Sequence, residues 1–339
     1  MIDFSEVIKE YFKSLEESLG LEGYTGDQMQ WLFNDSDDFS EIYEDGLRDI
    51  SKIIVDDVTE NLDKRDKEEK NERTQTRKRF GAVWGEGLAW MRQFYSLALE
   101  VCGSFQRITK KSSLSIESSS FHKALYLLNQ RAVLVYSEVL CLMENGFPDG
   151  AYAHYRTLYE LWAVAEFLFH DEDREVVSLA FLESVNQVSN NESGHYKWAQ
   201  VSKRFEGCDN ITINAIVKKA HEKCMLKREQ GRSNSKLTKD YTFPNVLIHP
   251  SAAGLEILSS SSPNAKTVGM ANPAIGSSLK LYEISSLYLY LFADIHGEGD
   301  EEALISNNAF ICNEILKTML WDKIFLIFNA IEHGSESDN

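Results

Sequence analysis

Proline and cysteine are both scarce in this sequence, and their scarcity narrows the fold class. Only five prolines occur in 339 residues, and the long stretches between them carry apolar residues at helical spacing. The five cysteines are scattered, odd in number and free of any Cys-x-x-Cys pair, a usage that suits a reducing compartment better than a disulfide scaffold. We therefore expect a cytoplasmic protein built from helices.

Long apolar runs and an excess of positive charge are also missing. Residues 319–331 form the longest apolar stretch near the C-terminus, and charged or amide residues interrupt it before the ~20 residues of a membrane span are reached. The first residues lack the basic start and apolar run of a signal peptide. The formal net charge is −18, and residues 1–79 hold 22 acidic against 12 basic side chains. Such a surface repels nucleic acid in general, although a local basic patch could still contact RNA.

The motifs of several enzyme classes are absent as well. The chain contains no Gly-x-x-x-x-Gly-Lys-Ser/Thr loop, no Gly-x-Gly-x-x-Gly and no Gly-x-Ser-x-Gly. A di-iron bundle needs two Glu-x-x-His pairs, and Glu192-Ser-Gly-His195 is the single pair in the sequence. We accordingly predict no cofactor and no metal.

The N-terminal region is acidic, and its apolar spacing is helical. Positions i, i+3, i+4 and i+7 predict helices over residues 2–19 and 47–62. Residues 63–79 hold almost no apolar side chain and are interpreted either as a solvated helix extension or as a linker. Because a strong apolar stripe begins at Phe80, we place an acidic helical region at 1–79 and a bundle domain at 80–335.

Within the bundle domain, helical periodicity alternates with polar or Ser-, Gly- and Pro-rich connectors. The predicted helices are 84–99, 121–145, 151–169, 176–188, 210–226, 277–295 and 301–332. The segment Asn145-Gly146-Phe147-Pro148-Asp149-Gly150 has the composition of a tight turn. The predicted fold class is all-α, a helical bundle with a peripheral acidic N-terminal helical region.

The most informative segment is the helix predicted over residues 151–169. It is apolar on nearly every side, as buried helices are, yet it carries Arg156, Glu160 and Glu166. Buried charges are rare unless paired, and an unpaired one is strongly destabilising. These three side chains are therefore expected to have partners in a dry interior.

Partners are suggested by folding the preceding helix back about residue 147. Glu138 then comes next to Arg156, and Arg131 comes within two positions of Glu166, so that two cross-helix ion pairs become geometrically possible. Arg156 and Glu160 are in addition i,i+4 neighbours. Two interpretations stay open: the pairs fix the register of two apolar helices, or they line a central pocket that binds an anion or performs acid–base chemistry.

Two downstream features complete the list of candidate residues. His249 lies in a short apolar run before Pro250, and Tyr241, eight residues earlier, could point into the same cleft. The segment from Lys218 to Lys239 is the one basic region of note. It is interpreted as a solvated face, with phosphate contact as the alternative.

Three short motifs taken together resemble an uncharacterised bacterial family, the domain of unknown function 5677. They are Gly146-Phe147-Pro148-Asp149-Gly150-Ala151, Arg156-Thr157-Leu158-Tyr159-Glu160 and His249-Pro250-Ser251-Ala252. The resemblance covers roughly residues 80–300 and implies an all-helical fold with little established chemistry. Arg156, Glu160 and a distant His249 are also similar in kind to helical ribonuclease toxins of the HEPN class, whose Arg-x(4–6)-His motif is absent here.

Two hypotheses of function follow. The first is a soluble, non-catalytic interaction or regulatory protein of a bacterial stress or phage-defence setting, with a protein partner or a second copy of itself. The rival is a metal-independent ribonuclease or toxin, in which Arg156 stabilises phosphate charge and His249 acts as acid or base beside Glu160. In either case Arg131, Glu138, Glu166 and Tyr241 are the candidate binding residues.

Overall fold

A computed structural model describes the chain over part of its length. The described residues are 13, 17, 48–49, 51–52, 55–56, 59–111, 119–189, 196–223, 271–295 and 300–334. Regular structure in these ranges is helical throughout, without a strand, which confirms the all-α fold class. The helices are α1 (Leu62–Lys111), α2 (Ser120–Glu144), α3 (Pro148–Phe169), α4 (Arg174–Ser189), α5 (Ile213–Lys223), α6 (Ala271–Ala293), α7 (Asp300–Thr318) and α8 (Leu326–Gly334).

Two compact units divide the chain, residues 1–75 and 76–339. In the described part of the first unit, the start of α1 is a solvated helix carrying i,i+4 ion pairs such as Arg73–Glu69 at 2.5 Å. Residues 63–79 are helical, as the first of their two interpretations requires. A pair of this kind stabilises an exposed helix by only ~0.2–0.5 kcal/mol.

Shorter helical pieces link the main helices of the second unit. Two 3-10 helices, Lys197–Val201 and Lys203–Phe205, lie in a stretch whose weak periodicity gave no sign of them. A π-helical stretch, Met319–Phe325, joins α7 to α8. The helix predicted over 301–332 is therefore two α-helices with π-helical hydrogen bonding between them. Next to the π-helical stretch, the ring of Phe328 on α8 stacks on Trp84 of α1, with ring centroids 5.4 Å apart.

The turn between α2 and α3 has the predicted position and a defined C-cap geometry. The N–H of Gly146 donates to Met143 O at 3.0 Å, and that of Phe147 donates to Leu142 O at 2.9 Å, the two bonds of a Schellman motif. Gly146 has φ = +79°, and a Cβ there would lie 2.8 Å from the Phe80 ring. Glycine is therefore required at this position by backbone conformation and by packing.

A ladder of contacts fixes the register of α2 against α6. The contacts recur every seven residues along both helices: Tyr136 Oη with Ser278 Oγ at 2.8 Å, Ser285 Oγ donating to Asn129 Oδ1 at 2.9 Å, and the His122 ring edge-on to Phe292 at 5.4 Å between centroids. All six side chains are buried. A shift by one residue would break both hydrogen bonds inside the core, so the polar residues of the ladder select one antiparallel alignment.

Helix α6 packs on α3 as closely as on α2. A Cβ on Gly276 would lie 2.7 Å from a ring carbon of Tyr155, so the absence of a side chain lets the two helices approach. Lys280 and Glu283 follow on the same face of α6, one and two turns further on. This packing brings two charged side chains against the aromatic face of α3.

Candidate functional site

Helix α3 runs through the interior of the bundle. None of its residues from Ala151 to Phe169 is exposed, and Trp162 has no solvent-accessible surface at all. The burial expected from the apolar sequence is therefore found. Tyr159 and Trp162, one turn apart, present their rings to α5 and α6.

The ammonium group of Lys280 lies over these two rings. Its Nζ is 3.6 Å from the centroid of Trp162 and 4.5 Å from that of Tyr159, and it donates to Glu283 Oε2 at 2.6 Å. The Lys280 and Glu283 side chains are only 4% and 5% exposed. Water cannot solvate either charge well at this depth, so the carboxylate and the two aromatic faces replace it.

A histidine from α5 contacts the same aromatic pair. His221 Nε2 lies 2.8 Å from Tyr159 Oη, and the imidazole packs on Trp162 with centroids 4.9 Å apart. His221 is buried. Its ring therefore shares Tyr159 and Trp162 with the Lys280 ammonium.

Arg204, in the second 3-10 helix, holds α5 in this place. Its guanidinium donates to Lys219 O at 2.6 Å and to Phe167 O at 3.4 Å, and it lies 4.7 Å above the Phe167 ring. Burial lowers the pKa of Arg204. The residue ties α5 to the end of α3 and so sets the depth at which His221 enters the bundle.

The outer edge of the site is an ion pair on α3 itself. Arg156 Nε donates to Glu160 Oε1 at 3.0 Å, and the two side chains are 26% and 28% exposed. Tyr196 lies close to them: burial raises the pKa of its phenol, Glu160 adds to the effect and Arg156 opposes it. We call Arg156, Tyr159, Glu160, Trp162, His221, Lys280 and Glu283 the α3 polar site.

The charges of the α3 polar site balance within it. Each of the two cations has a carboxylate at hydrogen-bond distance, and Tyr159 and His221 are within hydrogen-bond distance of each other. The Trp162 indole N–H is buried and has no hydrogen-bond partner in the described part of the chain. Such a site offers acid–base groups and one indole donor, but no excess of positive charge.

The family comparison bears on this same region. The model of a family of unknown function (DUF5677) matches residues 122–293, which is just over half of the 339 residues. The chain belongs to the DUF5677 family. No curated protein and no solved structure matches the chain.

The DUF5677 match begins at the second buried residue of α2 and ends with α6. It therefore contains every residue of the α3 polar site and every residue of the ladder. The family resemblance predicted from the turn and the Arg-x-x-x-Glu motif is confirmed. The family description carries no activity, so chemistry has to be argued from the site.

Neither of the two cross-helix ion pairs that the sequence makes possible is formed. Glu138 Oε2 lies 2.9 Å from His154 Nδ1 and Oε1 lies 3.7 Å from Arg131, whereas Arg156 pairs with Glu160. The turn is centred near Gly146 rather than one residue later. This shift moves the residue opposite Glu138 by two residues, from Arg156 back to His154, which is a rotation of about 200° around α3.

Glu166 and Arg156 also differ from the expectation of a single buried cluster. Glu166 is buried and lies 3.2 Å from His170 Nε2, one turn along the chain, rather than at Arg131. Arg156 and Glu160 are half-buried at the edge of the site rather than in a dry interior. Of the three charges on α3, only Glu166 is therefore as deep as the sequence suggested.

Several candidate residues lie outside the described ranges. These are His249, Tyr241 and the basic segment beyond the end of α5. Of the basic residues that are described, Lys218 is exposed and Lys219 Nζ pairs with Glu222 at 3.3 Å. Their roles as catalytic, binding and RNA-contacting groups stay predictions.

Sequence reasoning missed the buried half of the site. Lys280 and Glu283 are the only charged residues between Ser277 and Phe292. The expectation that charges in an apolar helix are buried and paired, which identified the candidates in residues 151–169, therefore applies to them too. His221 gives no such signal, because its surroundings in the sequence are basic and weakly periodic. Its place at Tyr159 depends on tertiary packing.

Neither a metal-holding cluster nor a membrane-spanning helix is present among the described residues. No group of three or more His, Cys, Asp and Glu side chains there could hold a metal ion. None of the described helices is long and apolar enough to cross a membrane.

Proposed function

We propose that this DUF5677 protein is a non-catalytic interaction or regulatory protein. In this proposal the α3 polar site is a structural lock that holds α3, α5 and α6 in one arrangement, and a partner recognises the outer surface of that arrangement. The setting proposed is bacterial stress or phage defence, in the cytoplasm.

The observation that supports this proposal is the pairing of the charges inside the site. Lys280 is bound to Glu283 at 2.6 Å and Arg156 to Glu160 at 3.0 Å. Catalysts of phosphate chemistry aim uncompensated donors or cations at the position where negative charge develops. In the α3 polar site, both cations already face a carboxylate.

A cleavage assay on the full chain tests the proposal. The purified protein is incubated with fluorescent single-stranded RNA, double-stranded RNA and single-stranded DNA, beside the variants His221→Gln, Tyr159→Phe and Arg156→Ala. His154→Gln, at the half-exposed contact with Glu138, is the matched control. We expect no cleavage by the wild type beyond a trace that all four variants share.

Cleavage by the wild type that falls tenfold or more in His221→Gln, but not in His154→Gln, would overturn the proposal. Thermal unfolding of each variant is measured in parallel, so that lost activity in a misfolded variant is not counted. In bacteria, expression of the wild type should leave growth and total RNA intact. Toxicity that Arg156→Ala removes, with the soluble yield unchanged, would also contradict a binding role.

A second candidate function is a metal-independent ribonuclease, and one contact favours it. His221 Nε2 lies 2.8 Å from Tyr159 Oη, three residues along α3 from Arg156. An imidazole and a phenol at this distance can exchange a proton, and a neighbouring guanidinium can stabilise a phosphate once its carboxylate partner is displaced. In this version His221 takes the acid–base role predicted for His249, and the basic segment 218–239 contacts RNA.

A further inference from the structure

Helix α2 is buried on every side except one narrow stripe. The apolar members of this stripe are Leu127, Leu134 and Cys141, which follow one another at intervals of seven residues. Leu127 is 41% and Leu134 51% exposed. Single exposed leucines are ordinary, but a repeat of seven on one helix is the spacing of a helix–helix seam.

Charged side chains flank the stripe on one side. Arg131 and Glu138 lie seven residues apart on this flank, both partly exposed, with Arg131 Nη1 3.7 Å from Glu138 Oε1. Arg131 is three residues before Leu134, and Glu138 is four residues after it. Along this flank, the charge is therefore positive before Leu134 and negative after it, at nearly the same distance from Leu134.

This pattern is complementary to itself when the helix is reversed. In an antiparallel pair, a flank of one helix faces the same flank of the other, and a two-fold axis relates the two copies. With the axis at Leu134, Arg131 of one copy comes opposite Glu138 of its partner, and the reverse contact forms at the other end. Leu127 comes opposite Cys141, since both are seven residues, or about 10.5 Å, from the axis.

We propose that α2 pairs with α2 of a second copy of this chain, in an antiparallel dimer whose two-fold axis passes through Leu134. The apolar stripe forms its centre, and Arg131 and Glu138 of both copies form an alternating four-residue charge network at its edge. A parallel pairing would place the Arg131–Glu138 flanks of the two copies on opposite edges of the interface, so that this charge network could not form. This inference is independent of whether the α3 polar site binds or catalyses.

Sedimentation velocity of the full chain tests the dimer. The monomer mass is 38.7 kDa, and we expect a species of about twice that mass at micromolar concentration. Leu134→Glu places two carboxylates at the axis and should give monomers. The matched control is Leu304→Glu, at a leucine of α7 that is 59% exposed, and it should leave the dimer intact.

Cysteine cross-linking tests the alignment. Leu127→Cys should form disulfide-linked dimers with the native Cys141 of the partner under mild oxidation, and Leu127→Cys with Cys141→Ser should not. The wild type should not link through Cys141, because the two copies of this residue would be about 21 Å apart along the helix. Arg131→Glu should weaken the dimer tenfold or more, and adding Glu138→Arg should restore it.

Three results would overturn the proposal. One is a wild-type monomer at 100 µM or above, and another is a dimer that Leu134→Glu leaves unchanged. The third is a dimer in which Leu127→Cys fails to link to Cys141, because this would place the contact elsewhere or in another register. Each variant is accepted only if its unfolding curve is cooperative, so that misfolding is not counted as dissociation.

Discussion

Replacing Lys280 with methionine tests how far the bundle depends on the α3 polar site. The Lys280 ammonium has one carboxylate at 2.6 Å and two aromatic faces within 4.5 Å. Methionine keeps much of the apolar stem but leaves the buried Glu283 without its cation. Removing one partner of a buried ion pair costs about 3–5 kcal/mol, and a desolvated cation–π contact adds about 2 kcal/mol. Because the methionine stem recovers some packing, we expect a loss of about 3–5 kcal/mol.

The assay is equilibrium unfolding in urea, followed by circular dichroism. For a unit of this size, the expected loss corresponds to a fall in Tm of roughly 10 °C. Lys317→Met, at an exposed lysine of α7, is the matched control and should change stability by less than about 0.5 kcal/mol. The double variant Lys280→Met with Glu283→Leu should recover most of the loss, since well-packed apolar residues can replace a buried ion pair.

The reasoning would be refuted if Lys280→Met and Lys317→Met were equally stable. It would also be refuted if the double variant lost as much stability as the two single variants together. The first result would mean that Lys280 is hydrated in solution. The second would mean that the two charges do not interact.

Three further predictions concern the core around α6 and helix α1. Burial lowers the pKa of His122 from 6.5 to about 4, so the folded state holds the neutral form and the unfolded state binds more protons between these values. The free energy of unfolding should therefore fall as the pH drops from 6.5 to 4, by up to about 3 kcal/mol from this residue. His122→Gln should make the free energy of unfolding less dependent on pH over this range. If urea unfolding gave the same pH dependence for the variant and the wild type, the burial of His122 would be contradicted. Gly276→Ala should destabilise by about 1–3 kcal/mol, because its Cβ would meet the Tyr155 ring at 2.7 Å. A Cβ added at Gly85 would have no atom within 4 Å, so Gly85→Ala should stabilise α1 by up to about 1 kcal/mol in the same unfolding measurements.

Local signals in the sequence predicted the elements of the fold well. Gly146 and Pro148 mark the turn, and the apolar spacing on both sides places α2 and α3 within a few residues of their observed ends. These signals act over one or two helical turns, so they need no knowledge of the partner helices. The 3-10 helices between residues 197 and 205 have no such periodicity and were not predicted.

Contacts between helices were harder to predict because they need the register to one residue. Adjacent residues of a helix differ by about 100° in direction, so a small shift of the turn was enough to exchange Arg156 for His154 at Glu138. The importance of buried charge was recognised on α3 but not on α6. Lys280 and Glu283 have the same signature, whereas His221 reaches Tyr159 only because Arg204 holds α5 in place.

The central claim is that the groups of the α3 polar site stabilise the bundle through one another. The unfolding free energy of Tyr159→Phe tests it most directly, because the substitution removes one oxygen from the contact with His221 and leaves the ring in place. We predict a loss of about 1–2 kcal/mol, the cost of breaking a buried hydrogen bond. An unchanged or higher stability would contradict the claim. A contact that is held under strain for catalysis destabilises the folded protein, so removing it would make the protein more stable.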